Sequence, residues 1–570
     1  MAAYTFHLDF TSLPAQNQEA GKPNQSRSGA VTLAVALSLM AWLLCGCAVL
    51  SRQARVEGQP TTAVPTPAET ALWRSPTPMA SPGRGVTPTD TRHEPALAVA
   101  HTQPPAPTSP APASPAPHPA PTPSPENFCR PVPLRAGRPG YRFEVVAEPS
   151  AHRLHVHQQL TLADPLRLAQ GELAFNVPAS HEPGIFALKG AWLAGWREPL
   201  TVSMDGTALV VSLPAVAAQA TAATVCLEYV LNLPPARSAG LSAVHALAWS
   251  ELGDVAGYWY PVLAPYELAL GWRLIPYHPI GDPILFEAAD YEVAVEVPEG
   301  YMVIAPAARP GVTGTWTFGL HAARGVAFVV SHQLVSAEGV TGGIPVRVFH
   351  QPGHEEAGLA VLRAADEALT LFTQAFGPYP YGDLVIVEAT QFGGSEYSAL
   401  ITLSSQWFAD YQVPSADDLF GRHPLVRFAV HEIAHQWWYG GVGTDQAHEP
   451  WLDEALARLG EWLYYSTLHP RHLSWWEAPS AQMDTVSINQ PIYNFQDTGS
   501  YVQAVYVSGT RFLLAARDRL GPEQFVAFLR AFYAQHQGQM VSQAEFLAAL
   551  RAVIGPELDS LLPLYFAPLP

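Results

Sequence analysis

The chain has 570 residues, too many for one hydrophobic core, so two or three domains are expected. A formal charge of −19 excludes a nucleic-acid binder that needs a basic face, and with Lys22 and Lys189 as the only lysines no polybasic patch for anionic lipid is expected. Four cysteines are too few for a disulfide-rich scaffold, and a single long apolar segment excludes a multi-span membrane protein.

Residues 1–30 read as a cytoplasmic or signal-peptide n-region, with Lys22 and Arg27 ahead of an uncharged run, VTLAVALSLMAWLLCGCAVL, over 31–50. Such a run suits a membrane-spanning helix or the apolar part of an export signal. Leu44-Cys45-Gly46-Cys47 adds a lipoprotein-signal reading with Cys47 as the lipid-bearing residue, although Cys45 is unusual at its position. All three readings place the rest of the chain outside the cytoplasm. In two of them the chain is held at the cell surface, by lipid on Cys47 or by helix 31–50. Residues 51–134 form a proline-rich linker, with 11 prolines between His101 and Pro125. That composition cannot bury enough apolar surface to offset chain entropy and favours extended polyproline segments, so it reads as a disordered spacer. Cys129 and Cys226 are then the cysteines of the exported body, and an oxidising compartment permits a bond between them that spacing alone cannot establish.

From 135 to 340 the pattern is short alternating runs such as YRFEVVAE, LHVHQQLTL, TVCLEYVLNL and YEVAVEVP between Pro, Gly and Asp turns, which predicts an all-β domain. His155 and His157 lie on one strand face with no third ligand in view and read as solvent-facing. Tyr258-Trp259-Tyr260 reads as core or inter-domain packing rather than a groove. After Gly342-Gly343 the spacing turns helical in GLAVLRAADEALTLFTQAFG, LVIVEA reads as a buried strand, and most segments beyond Leu425 have helical periodicity.

His431-Glu432-Ile433-Ala434-His435 places two imidazoles one helical turn apart, on one side of a helix, where they can share a metal. Glu432 projects beside them, in reach of a metal-activated water. A third histidine six residues beyond His435 is absent, because that position is Gly441. Glu454, in Trp451-Leu452-Asp453-Glu454 with eighteen residues between it and His435, can fill the third place from a second helix.

In HEIAHQWWYG, WLDEALARLGEW, GGSEY and YVQAVYVSG the chain resembles the gluzincin zinc aminopeptidases of the aminopeptidase N and leukotriene-hydrolase type, and the likeness extends over about residues 140–570. The resemblance implies a multidomain protein, with an all-β N-terminal domain over 135–340 and an α+β thermolysin-like zinc peptidase domain with a helical end over 341–570. It implies one Zn(2+) per chain held by His431, His435 and Glu454, with Glu432 as general base. Tyr506 becomes the donor to the oxyanion, with Tyr501 a weaker candidate. Glu461, one heptad after Glu454 on the same helix, reads either as a carboxylate that orients a zinc-bound histidine or as a plain surface charge. Glu396 would pair with the substrate's free α-ammonium, while Gly393 and Gly394 let an extended peptide approach. This sequence departs from the family at Ser395, where methionine is usual, and at Tyr397, where asparagine is usual. The expected function is removal of N-terminal residues from peptides outside the cytoplasm. The alternatives are an endopeptidase that has lost its clamp on the N-terminus and a tethered, non-catalytic peptide-binding module.

Overall fold

A computed structural model describes residues 129–568, apart from 136, 238–240, 243–245, 392 and 413–420. The apolar run at 31–50 and most of the proline-rich segment lie outside the described residues. Among the described residues, no helix is long and apolar enough to cross a membrane.

The first half is β-rich. Its largest sheet has seven strands, in the order Arg309–Pro310, Thr315–Ala323, Ala289–Glu296, Gly140–Glu148, Arg153–Leu162, Ala223–Asn232 and Phe186–Leu193. All neighbours are antiparallel except Gly140–Glu148 beside Ala289–Glu296. Alternation sets the faces: Tyr141, Phe143, Val145 and Ala147 are buried while Glu144 and Val146 point to solvent. Two four-stranded sheets pack with it. Trp259 and Tyr260 are fully buried between them, the Trp259 ring 4.7 Å from that of Phe143, so the aromatic trio is core. His155 is exposed beside Glu148, as a solvent-facing strand position should be.

Cys129 and Cys226 form a disulfide with Cα atoms 5.6 Å apart, tying the segment ahead of the first strand to the Ala223–Asn232 strand.

The second half begins with a five-stranded sheet in the order Val335–Thr341, Ile344–His350, Leu384–Ala389, Leu400–Ser404, Gly394–Tyr397. The three middle strands are parallel and the two edge strands antiparallel. Every residue of Leu384–Ala389 is buried, which explains the apolar run Leu384–Val387; the buried Glu388 accepts from Gln351 and Ser405. The boundary expected at 340/341 falls in the last two residues of the strand Val335–Thr341, the first arm of a hairpin whose two strands both belong to this sheet. Gly342 and Gly343 are there because the turn needs positive φ, at 58° and 92°.

Helices α1 (Glu355–Phe376) and α2 (Pro424–Ala434) pack on this sheet and on one another, and α3 (Pro450–Leu468) packs on both, followed by α4 (Gly509–Leu520), α5 (Pro522–His536) and α6 (Gln543–Ile554). Between α3 and α4 the chain passes through a π-helical stretch, Val502–Ser508, of the kind often found at functional sites. The two halves are joined by buried Arg324, whose guanidinium donates to the carbonyls of Phe286 (2.9 Å) and Gln539 (2.6 Å).

Closing a loop of 97 residues with the Cys129–Cys226 bond restricts the unfolded chain. Replacing both cysteines by serine should lower the unfolding free energy by about 2–5 kcal/mol, measured by denaturant titration. An unchanged midpoint would contradict a structural role for the bond.

Candidate active site

Helix α2 starts at Pro424, whose missing N–H costs nothing in the first turn, and presents His431 and His435 one turn apart. Helix α3 starts at Pro450 and brings Glu454 against them. His431 Nε2 lies 3.1 Å from Glu454 Oε2 and 3.2 Å from His435 Nε2, and His435 Nε2 lies 3.4 Å from Glu454 Oε2. Three ligands on a tetrahedral zinc, at bond lengths near 2.0–2.1 Å, stand roughly 3.3 Å apart. The donor set therefore fits one such ion in both type and spacing.

Each imidazole is fixed from behind. Glu461 Oε1 lies 2.8 Å from His431 Nδ1, and Asp453 Oδ1 lies 3.0 Å from His435 Nδ1. A carboxylate at Nδ1 orients the ring and turns Nε2 toward the metal position. Glu461 in turn accepts from Arg427 Nε and Trp476 Nε1, both at 2.6 Å. The sequence pointed to Glu461 through its heptad spacing from Glu454. Asp453 carried no signal beyond its place beside Glu454, and Gln446, which donates to Asp453 and to Glu396 Oε1 (3.2 Å), carried none.

Burial works against the charged form of His431, yet hydrogen bonds to Glu454 and Glu461 overcome it and push the pKa up to about 9. Glu454, despite burial, is held well below the ordinary carboxylate range by His431 and His435. Burial pushes Glu432 up to about 7 against the opposing pull of the two histidines. A group poised there can both accept and return a proton near neutral pH.

The GGSEY segment forms the edge strand Gly394–Tyr397, antiparallel to Leu400–Ser404. Gly393 has φ of 94°, open only to glycine at low cost. At Gly394 the reason is close approach: a Cβ there would stand 2.1 Å from Glu432 Oε1, so the strand backbone lies directly on the Glu432 side chain. Glu396 is buried, and ligand oxygens of Glu396 and Glu432 with a nitrogen of His435 lie within 4.8 Å of one another. Tyr397 turns the other way, into the β half: a Cβ on Gly257 would stand 2.0 Å from its hydroxyl, and its ring is 5.1 Å from that of Tyr258. The tyrosine in place of asparagine thus wedges the edge strand against the first half.

The β half also supplies Asp282, which sequence reasoning missed. Its neighbour Gly281 packs on Tyr501, and burial together with Glu454 and Asp453 pushes the Asp282 carboxyl well up. Glu396 is raised in the same way, first by burial and then by Asp282 and Glu432 against the pull of His435. Carboxylates gathered like this favour an arriving cation. Tyr506, on the π-helical stretch, donates to Glu454 Oε1 at 2.6 Å, which sets its hydroxyl beside the ligand set. Tyr501 is fully buried, with its ring 5.8 Å from that of Tyr506, and serves as a packing partner.

A mixed sheet carrying an HExxH helix, a third ligand that is a carboxylate on the next helix, and a buried glutamate beside them form a site of the kind that zinc metallopeptidases use. Residues 361–565 match the family model described as the peptidase family M1 domain. It is 24% identical to Aminopeptidase 2 of Candida albicans over 237 residues, which are 39% of this chain and 25% of that protein. It is 27% identical to the alanine/arginine aminopeptidase of Saccharomyces cerevisiae over 216 residues, 35% of this chain and 25% of that protein. The match thus spans about a quarter of the length of these relatives. The fold is similar to a solved two-domain M1 zinc metallopeptidase bound to L-tryptophan, with a TM-score of 0.52 and 16% identity, covering 78% of this chain and 98% of that one. An M1 zinc metallopeptidase from Deinococcus radiodurans gives 0.52 and 15% over 76% of this chain and 95% of its own.

Because His431 holds a proton up to about pH 9 without metal, and His435 is raised as well, a metal must displace protons to bind. Affinity should fall as pH falls, by about tenfold per pH unit for each proton displaced. Competition titration with zinc between pH 8 and pH 6 should show at least about a 100-fold weakening; an affinity independent of pH would contradict the assigned ligands.

Proposed function

We propose that the protein is a zinc-dependent aminopeptidase that removes N-terminal residues from peptides outside the cytoplasm, using its α+β half as a thermolysin-like peptidase domain. The observation that carries this reading is the placement of Glu396 beside both Glu432 and His435. That places an acceptor for a substrate's α-ammonium next to the general base, as an exopeptidase requires and a structural metal site does not. An extracytoplasmic site is supported by the apolar run at 31–50 and by the Cys129–Cys226 disulfide. An anchor through that run or through Cys47 belongs to the same proposal.

His431, His435 and Glu454 hold the metal. Zinc, when bound, supplies Lewis acidity, which polarises a carbonyl and makes water more acidic. Glu396, with Asp282 near it, holds the α-ammonium and so fixes which peptide bond is presented. Glu432 takes a proton from the attacking water and returns it to the leaving amine. Tyr506 exchanges its hydrogen bond with Glu454 for one to the carbonyl oxygen as that atom gains negative charge, a donor matched to the transition state.

The test is turnover of leucine 7-amido-4-methylcoumarin by the zinc-loaded full chain and two variants. Glu432→Gln should lose activity by about 10³-fold or more with zinc content unchanged, since it removes the proton acceptor. Tyr506→Phe should lower kcat by about 10²–10³-fold with a smaller effect on KM. A Glu432→Gln variant as active as the parent would overturn the mechanism.

A further inference from the structure

The charged groups around the triad are divided between its two sides. On the His435 side, Gln446 links Asp453 to Glu396, and Asp282 stands near, so that side is acidic. On the His431 side, Glu461 binds the ring and is itself held by Arg427 and Trp476. Arg458 belongs to this second side. It follows Glu454 by one turn of α3 and shares a helix face with Glu454 and Glu461.

Arg458 is only 3% exposed, and buried arginines are rare unless paired. Its guanidinium lies over the Trp476 ring, 4.8 Å from the centroid. Its Nη2 donates to Ser480 Oγ at a long 3.4 Å, its Nε has no hydrogen-bond partner, and it forms no ion pair among the described residues. Burial and the nearby Arg427 lower its pKa to about 10 against the pull of Glu461. The other close cation, Arg511, is already committed, donating to the carbonyls of Met483 (2.6 Å) and Ser480 (2.7 Å) and thereby fixing the segment beside Arg458. Arg458 also feels Tyr506, whose hydroxyl rests on Glu454, so it lies on the side of the triad opposite Glu396. A peptide held by its α-ammonium at Glu396, with its first carbonyl at the triad, would send its second residue to that opposite side.

We propose that Arg458 receives a carboxylate carried by the residue that leaves, whether the free C-terminus of a dipeptide or an acidic side chain just after the scissile bond. The planar guanidinium, stacked on Trp476 with donors unspent, suits bidentate binding of that group. The proposal rests on the aminopeptidase reading for the direction in which the peptide lies, and it adds a specificity for the leaving residue.

The test measures binding rather than turnover. Leu-Ala, Leu-Ala-amide and Leu-Asp-amide are titrated calorimetrically into the zinc-loaded full chain carrying Glu432→Gln. The same titrations are repeated with Arg458→Met, which keeps length and helix propensity, and with Arg458→Lys added in turn. With Arg458 in place, a carboxylate-bearing peptide should bind at least about tenfold more tightly than Leu-Ala-amide. The ratio should fall to about one with methionine and to an intermediate value with lysine. A gain confined to Leu-Ala identifies the C-terminal carboxylate, and one confined to Leu-Asp-amide identifies the side chain. Equal affinities for all three peptides, no binding of any, or a preference that survives Arg458→Met would overturn the proposal. A carboxylate preference in a protein whose parent cleaves nothing would keep the subsite and remove the peptidase reading; turnover without the preference would do the reverse.

Discussion

Between α2 and α3 the protein buries His431, Glu432, His435, Asp453, Glu454 and Glu461, each 5% exposed or less. Taking one such ion out of water costs several kcal/mol even after the protein relaxes, and four carboxylates against two imidazoles leave that cost only partly offset. Hydrogen-bonded chains absorb some of it: Arg427 to Glu461 to His431 on one side, Gln446 to Asp453 to His435 on the other. What these chains leave free is two Nε2 atoms and a Glu454 oxygen facing one point. A divalent cation at that point turns the most costly feature of the interior into its strongest interaction, and the rest of the second half is arranged around this pair of helices.

The edge strand and the β half complete the site. Gly394 lets the strand lie on Glu432, and Tyr397 fixes the strand from its far side by packing into Gly257 and against Tyr258. Asp282 arrives from the first half, and Arg324 bonds the first half to the loop after α5. The aromatic trio at Tyr258, far from the HExxH helix in sequence, is thus part of the wall that holds Glu396 in place. The surroundings of the triad are thus opposite in charge, acidic on the His435 side and with Arg427 and Arg458 on the His431 side.

The meeting of His431, Glu432, His435 and Glu454 was legible because helical periodicity alone places the first three, and the gap to Glu454 allows one turn and a second helix. The alternating strands of the first half and the buried LVIVEA strand were legible for a similar reason: residues with period two, or four apolar residues in a row as in Leu384–Val387, have few other uses. Asp282, Gln446 and Asp453 were not. Each is a single polar residue whose meaning comes from a tertiary meeting, and no local pattern encodes which carboxylates a fold brings together. The same holds for Arg458, whose burial comes from the short helix Leu473–Glu477 that lays Trp476 over it. The π-helical register at Val502–Ser508 was also hidden, because its sequence is compatible with ordinary α-helix.

The central claim is that a metal-dependent hydrolytic centre and a clamp for a free N-terminus share one cleft. The most direct measurement is cleavage of matched fluorogenic peptides, with free and with N-acetylated amino ends, by the full chain before and after a zinc chelator and after zinc is restored. The account predicts cleavage confined to the free-amine peptides, abolished by the chelator and recovered with zinc. Equal cleavage of both forms, or cleavage that the chelator leaves untouched, would contradict it.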